Sequence, residues 1–66
     1  MNITLNSDTI ELDKPININE FLLSQGYADK MVAIAINGSF VPRSSYKEHL
    51  INENDDIEIV APMQGG

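Results

Sequence analysis

The chain closes on Pro62-Met63-Gln64-Gly65-Gly66, and the group these residues present is an α-carboxylate with no side chain beside it. Glycine lacks a Cβ, so such an end can enter a narrow channel. A carboxylate is a poor electrophile and reacts at carbon only after activation. The chemistry implied is that of a carrier or a tag, on which some other enzyme works. Where glycine makes up roughly 7% of residues, a chain ends in Gly-Gly about one time in 200, so the rest of the sequence must support the reading. Elsewhere no nucleophile–base pair and no metal cluster is visible. There is no cysteine, and the single His49 cannot hold a metal alone; it reads as a surface or packing histidine. No residue is assigned a catalytic role, and no metal or bound cofactor is expected.

The elements that must position this end belong to one small domain. Its 66 residues make a marginal core, because a chain of about 60 residues buries only about 60% of its unfolded surface. With disulfides excluded, stability must come from tight packing or from partners. No apolar run approaches the roughly 18 residues of a membrane span, and Met1-Asn2-Ile3-Thr4 carries no signal-peptide features. A cytoplasmic protein, monomeric when free, is expected. Ten acids against four bases give a net charge of −6. Backbone recognition of nucleic acid needs clustered Lys and Arg, so that class is disfavoured. An acidic surface suits solubility or a basic partner.

Asn2–Asn6 and Thr9–Leu12 alternate polar and apolar residues around a Ser7-Asp8 turn. They predict a hairpin with Ile3, Leu5, Ile10 and Leu12 on one face. Asn17 stands three residues before Glu20, like a capping box, with Ile16 and Phe21 at staple spacing. A helix from Ile18 to about Gln25 follows, burying Ile18, Phe21, Leu22 and by extension Leu23, with Gly26 as its stop. Met31–Ile36 is the strongest strand, with Val32, Ile34 and Ile36 toward the helix and Ala33 and Ala35 facing away. Asn37-Gly38 predicts a tight turn into Phe40-Val41. Residues 43–52 read as a loop with one helical turn, Tyr46 and Leu50 plugging the core edge. Glu53–Asp56 read as a solvated acidic turn, and Ile57–Ala61 as the last strand, ended by Pro62. The fold class is α+β: a ββαββ mixed sheet on one short helix, residues 1–61, followed by a flexible tail at 62–66. The uncovered sheet face places Ala33, Ala35, Phe40 and Val60 in a modest apolar patch beside the tail's exit. Arg43 is a partner contact, a surface charge after a turn or, preferably, a buried guanidinium fork satisfying loop carbonyls.

This order, with a Gly-Gly end, resembles the β-grasp, ubiquitin-like fold. Within it, Val32–Gly38 followed by Phe40-Val41-Pro42-Arg43, the acidic turn Asn54-Asp55-Asp56 before Ile57-Glu58-Ile59, and Gly65-Gly66 resemble the bacterial thiamine sulfur carrier family, ThiS. The resemblance implies that Gly66 is adenylated by a ThiF-type activating enzyme using ATP and Mg²⁺. Sulfur from a persulfide donor then makes a thiocarboxylate, which thiazole synthase (ThiG-type) consumes. It also implies that Gly65, Gln64 and Met63 thread into the partner, and that the open sheet face, with Ala33, Ala35, Phe40, Val60 and Arg43, is the dock. The alternatives are the molybdopterin synthase small subunit, which shares the fold and the Gly-Gly end, a ubiquitin-like protein-modifying tag, and a plain interaction module.

Overall fold

The structure, a computed structural model, describes residues 1–27 and 31–61. The tail expected at 62–66, with Met63, Gln64, Gly65 and Gly66, lies outside the described residues.

The first hairpin joins β1 (Asn2–Leu5) to β2 (Asp8–Glu11), pairing Leu5 with Asp8 and Ile3 with Ile10. Its turn is Asn6-Ser7, at φ +50° and +74°, not the expected Ser7-Asp8. Asparagine tolerates left-handed backbone better than most residues, and Asn6 has a second task here. Its N–H donates to the Ile57 carbonyl at 2.8 Å and its Oδ1 accepts from the Ile59 N–H at 2.9 Å. One residue thus turns the hairpin and extends its hold on the last strand.

The helix α1 (Ile18–Ser24) starts at Asn17, whose Oδ1 accepts from the Glu20 N–H at 2.8 Å. That bond satisfies one of the amides a helix N-terminus leaves orphaned. The helix ends in a Schellman arrangement. Gly26, at φ +86°, donates to the Leu23 carbonyl, and Tyr27 donates to Leu22 at 2.8 Å. Ile18, Phe21 and Leu22 are buried as expected, but Leu23 is 64% exposed. A helix advances about 100° per residue, which carries Leu23 past the face shared by its two predecessors. Seven residues are too few for an independent helix, so α1 depends on the sheet beneath it.

That sheet has five strands in the order β2-β1-β5-β3-β4, with β3 at Ala33–Ile36, β4 at Ser39–Phe40 and β5 at Asp56–Val60. β5 is central, parallel to β1 and antiparallel to β3, so the last strand closes the fold by joining both halves. Asn37-Gly38, at φ +52° and +87°, makes the tight turn the pair predicts. Asn37 also ties that turn to a distant one. Its Nδ2 donates to Asp55 Oδ1 at 3.0 Å and its Oδ1 accepts from the Asp56 N–H at 2.9 Å.

Between β4 and β5 the chain makes a 3-10 helix at Arg43–Ser45 and then runs beside the start of α1. There the Ile18 N–H donates to the His49 carbonyl, and the Ile51 N–H donates to the Ile16 carbonyl. Tyr46 is buried as expected. Its companion in the core is Ile51, fully buried, while Leu50 is 52% exposed. The expected helical spacing from 46 to 50 fails because residues 49–51 are extended against 16–18, where side chains alternate. The core between helix and sheet comprises Ile3, Ile18, Phe21, Leu22, Val32, Ile34, Ile36, Tyr46, Ile51, Ile57 and Ile59.

Candidate functional site

Strand pairing determines what the other sheet face carries. Residues paired across neighbouring strands lie on the same side of the sheet. Ile34 pairs with Ile59, and Ile36 with Ile57; these look into the core. The alternate pairs, Ala33 with Val60 and Ala35 with both Glu58 and Phe40, therefore look out. α1 covers only the inner face, and among the described residues no element covers the outer one.

The expected patch is present, with one correction. Phe40 is 67% exposed and Val60 is 52% exposed, and Ala33 is exposed beside them. Ala35 is not a surface residue. It is only 4% exposed, because a single methyl group lies between the larger Phe40 and Glu58 on the flanking strands. It forms the floor under the patch and offers no contact of its own.

Met31, which the sequence reading placed in the strand without a surface role, is 69% exposed. It shares a shallow depression with Val32, Ala33, Arg43 and Val60. Parity was the available signal: counting back by twos from Ala35 through Ala33 reaches Met31. Arg43 departs from the preferred structural role. Its side chain is exposed, and it rims both this depression and a second one lined by Asn19, Leu22, Leu23, Tyr27, Val32 and Tyr46.

The far half of the same face is polar and acidic. Asn2 pairs with Glu11, Thr4 with Thr9 and with Asp56, and Glu58 stands next to the apolar half. The acidic turn is more ordered than a solvated one need be. Asp56 Oδ1 accepts from Thr4 Oγ1 at 2.9 Å. Asp55 accepts from the Asn52 N–H at 2.8 Å as well as from Asn37. Glu53 is exposed. These bonds give Asp55 and Asp56 structural work, and Glu58, Glu53 and Glu11 carry the outward negative charge. His49 is half-buried. Among the described residues no group of His, Cys, Asp or Glu could hold a metal ion, and no helix is long and apolar enough to cross a membrane.

An apolar patch rimmed by Arg43 lies on β5 and its neighbours, and β5 ends within it at Val60.

Comparison with known proteins agrees with the resemblance read from the sequence. The ThiS family model matches residues 2–66. The crystal structure of the thiamine biosynthesis protein ThiS from Geobacter metallireducens superposes with a TM-score of 0.88, at 26% identity and over 100% of both chains. The NMR solution structure of a thiamine biosynthesis protein from the same organism gives 0.81, covering 100% of this chain and 88% of that one. Among curated proteins, the thiazole synthase of Paramagnetospirillum magneticum is 30% identical over 66 residues, and the chain spans 20% of its length. The uncharacterised protein ycf40 of Porphyra purpurea is 24% identical over 66 residues, 93% of its length.

Proposed function

The chain belongs to the ThiS family, and from that premise we propose that it carries sulfur to the thiazole of thiamine as a thiocarboxylate on Gly66. Carriers of this family are not enzymes, and the absence of a nucleophile–base pair in the sequence suits a protein that is itself a co-substrate. The observation that carries the reading is the open sheet face. Phe40, Val60 and Met31, between 52% and 69% exposed, form an apolar surface where the chain departs toward Gly66. Exposed apolar surface of this kind marks interfaces.

The chemistry follows from the carboxylate. An oxygen of Gly66 attacks the α-phosphorus of ATP in a ThiF-type enzyme, and pyrophosphate leaves. The carbonyl carbon now bears AMP, a good leaving group. A persulfide sulfur attacks that carbon and AMP departs. Thiol cleavage of the remaining sulfur–sulfur bond, a two-electron reduction, leaves the thiocarboxylate. ATP and Mg²⁺ are the activating partner's, where the metal clamps phosphate charge.

The domain contributes placement. Docked through its sheet face, it presents the carbonyl at a high effective concentration. Five extended residues from Pro62 reach roughly 17 Å at about 3.3 Å each, enough to enter a buried site. The same handle serves thiazole synthase, the ThiG-type acceptor. The long thiazole synthase relative, of which this chain spans a fifth, supports that pairing: a segment like this one lies in a single polypeptide with the synthase.

The test is incubation of the protein with a ThiF-type enzyme, ATP and a persulfide donor, read by intact-mass spectrometry. One sulfur replacing one oxygen is expected, located by fragmentation at Gly66. Rescue of a thiazole-requiring strain, without rescue of a molybdenum-cofactor mutant, assigns the pathway. A mass that does not change, or adducts on other proteins' lysines, overturns the proposal.

A further inference from the structure

Of the seven asparagines in the chain, Asn37 alone is followed by glycine. The side-chain carbonyl carbon of an asparagine is an electrophile that can close a ring with the backbone nitrogen of the next residue. A following glycine leaves that nitrogen unshielded, because glycine has no Cβ. Here both residues are exposed, and nothing stands within 4 Å of the place a Gly38 Cβ would take. Residue type and surroundings both suit ring closure with loss of ammonia.

The folded chain opposes that reaction. Asn37 Nδ2 donates to Asp55 Oδ1 at 3.0 Å, and Asn37 Oδ1 accepts from the Asp56 N–H at 2.9 Å. Ring closure turns Cγ toward the Gly38 nitrogen and expels Nδ2, so both bonds must break. A third bond, from the Asn37 N–H to the Asp56 carbonyl at 2.8 Å, fixes the backbone at the same point. The turn leads into β4, two exposed residues at the edge of the sheet. Such an edge opens at lower free energy than the core beneath it, and that opening is the route to reaction.

We propose that Asn37 is a deamidation site, that its ties to Asp55 and Asp56 hold the reaction off in the folded chain, and that the product keeps those ties from reforming. The Gly38 nitrogen bonds to Asn37 Cγ, the Cγ–Nδ2 bond breaks, and ammonia leaves with the proton of the Gly38 nitrogen. Water then opens the resulting succinimide at either carbonyl, giving aspartate or isoaspartate, and nothing is oxidised or reduced. Aspartate puts an acceptor oxygen where Nδ2 donated, facing the Asp55 carboxylate, and like charges there repel. Isoaspartate adds a carbon to the main chain inside the tight turn. Either product loosens β4, the strand that carries Phe40.

The test ages the full chain at neutral pH, with and without urea. Trypsin then releases residues 31–43, in which Asn37 is the sole asparagine, and mass spectrometry scores the exchange of NH2 for OH. Reaction in urea is expected to be at least about tenfold faster than in the folded chain. Folded Asp55→Ala should react several-fold faster than the parent. Ile51→Val, which weakens the core away from the tie, should stay within about twofold of the parent. If Asp55→Ala does not fold, Asp55→Asn takes its place with the same expectation, because it exchanges a charged acceptor for a weaker neutral one. Equal rates with and without urea, no reaction in urea, or equal acceleration by the changes at 51 and 55 overturns the proposal. Asn37→Asp supplies one product directly. It should unfold at lower urea concentration than the parent and speed hydrogen exchange of the Val41 amide, which donates to the Ile34 carbonyl at 3.0 Å beside β4. Parent-like values of both overturn the claim that the product loosens the strand.

Discussion

Truncating Phe40 separates a docking face from a merely uncovered one. A phenylalanine presents roughly 150–250 Å², and this one is 67% exposed, so on the order of 130 Å² of it meets solvent. At about 25 cal/mol per Å², covering it fully is worth at most about 3 kcal/mol. Alanine retains the Cβ, and interfaces return less than their area suggests, so Phe40→Ala should weaken partner binding by about 2 kcal/mol. That is roughly a 30-fold rise in Kd. The fold should hardly respond, because what is lost is one cross-strand contact with Ala35, worth under about 1 kcal/mol. Calorimetric titration of the variant against a ThiF-type enzyme, beside a thermal melt of each protein, measures both quantities. If Phe40→Ala binds within about twofold of the parent, a difference below 0.5 kcal/mol, the outer sheet face is not the dock. If binding and melting fall together, Phe40 serves the fold and the argument from exposure fails.

Asn37→Ala should cost about 1–3 kcal/mol in denaturant unfolding, because it deletes two side-chain bonds to residues 55 and 56 and puts alanine at a positive φ. An unchanged midpoint would mean the two turns do not need to be tied. Ile51→Ala should cost about 2–5 kcal/mol, and Leu50→Ala under about 1 kcal/mol, since the first is fully buried and the second 52% exposed; equal costs would contradict the extended run beside α1. Gly66→Ala should melt with the parent protein yet accept sulfur more slowly from the activating system, and a normal rate of thiocarboxylation would remove the reason for a glycine there.

Much of the fold was legible because short-range chemistry specifies it. Asn17 and Gly26 bound a helix through capping and left-handed backbone. Asn37-Gly38 demands one turn type. Alternation from Val32 to Ile36 names the strand and both its faces. The misreadings share a different cause. Asn6-Ser7 took the turn because Asn6 also bonds to β5, some fifty residues away. Ile51 replaced Leu50 in the core because residues 49–51 lie extended against 16–18, a pairing that local spacing does not encode. Ala35 was given to the surface by parity. Parity says which way a side chain points and not what stands on either side of it.

The candidate site divides along the same line. The sequence alone determined the chemistry on offer: a Gly-Gly carboxylate, no nucleophile or metal set, an acidic chain and the Asn37-Gly38, Val41-Pro42-Arg43 signature of one family. These are properties of residue type and spacing, and they survive without a fold. Only the tertiary structure decided which residues meet on the open face. Met31, Ala33, Val60 and Arg43 come from the approach to β3 and its first residue, from the end of the last strand and from the start of the 3-10 helix, and they become neighbours because β5 inserts between β1 and β3. That insertion is settled by burying Ile57 and Ile59 against α1, a global packing requirement, and so the surface around Arg43 is visible only once the core has closed.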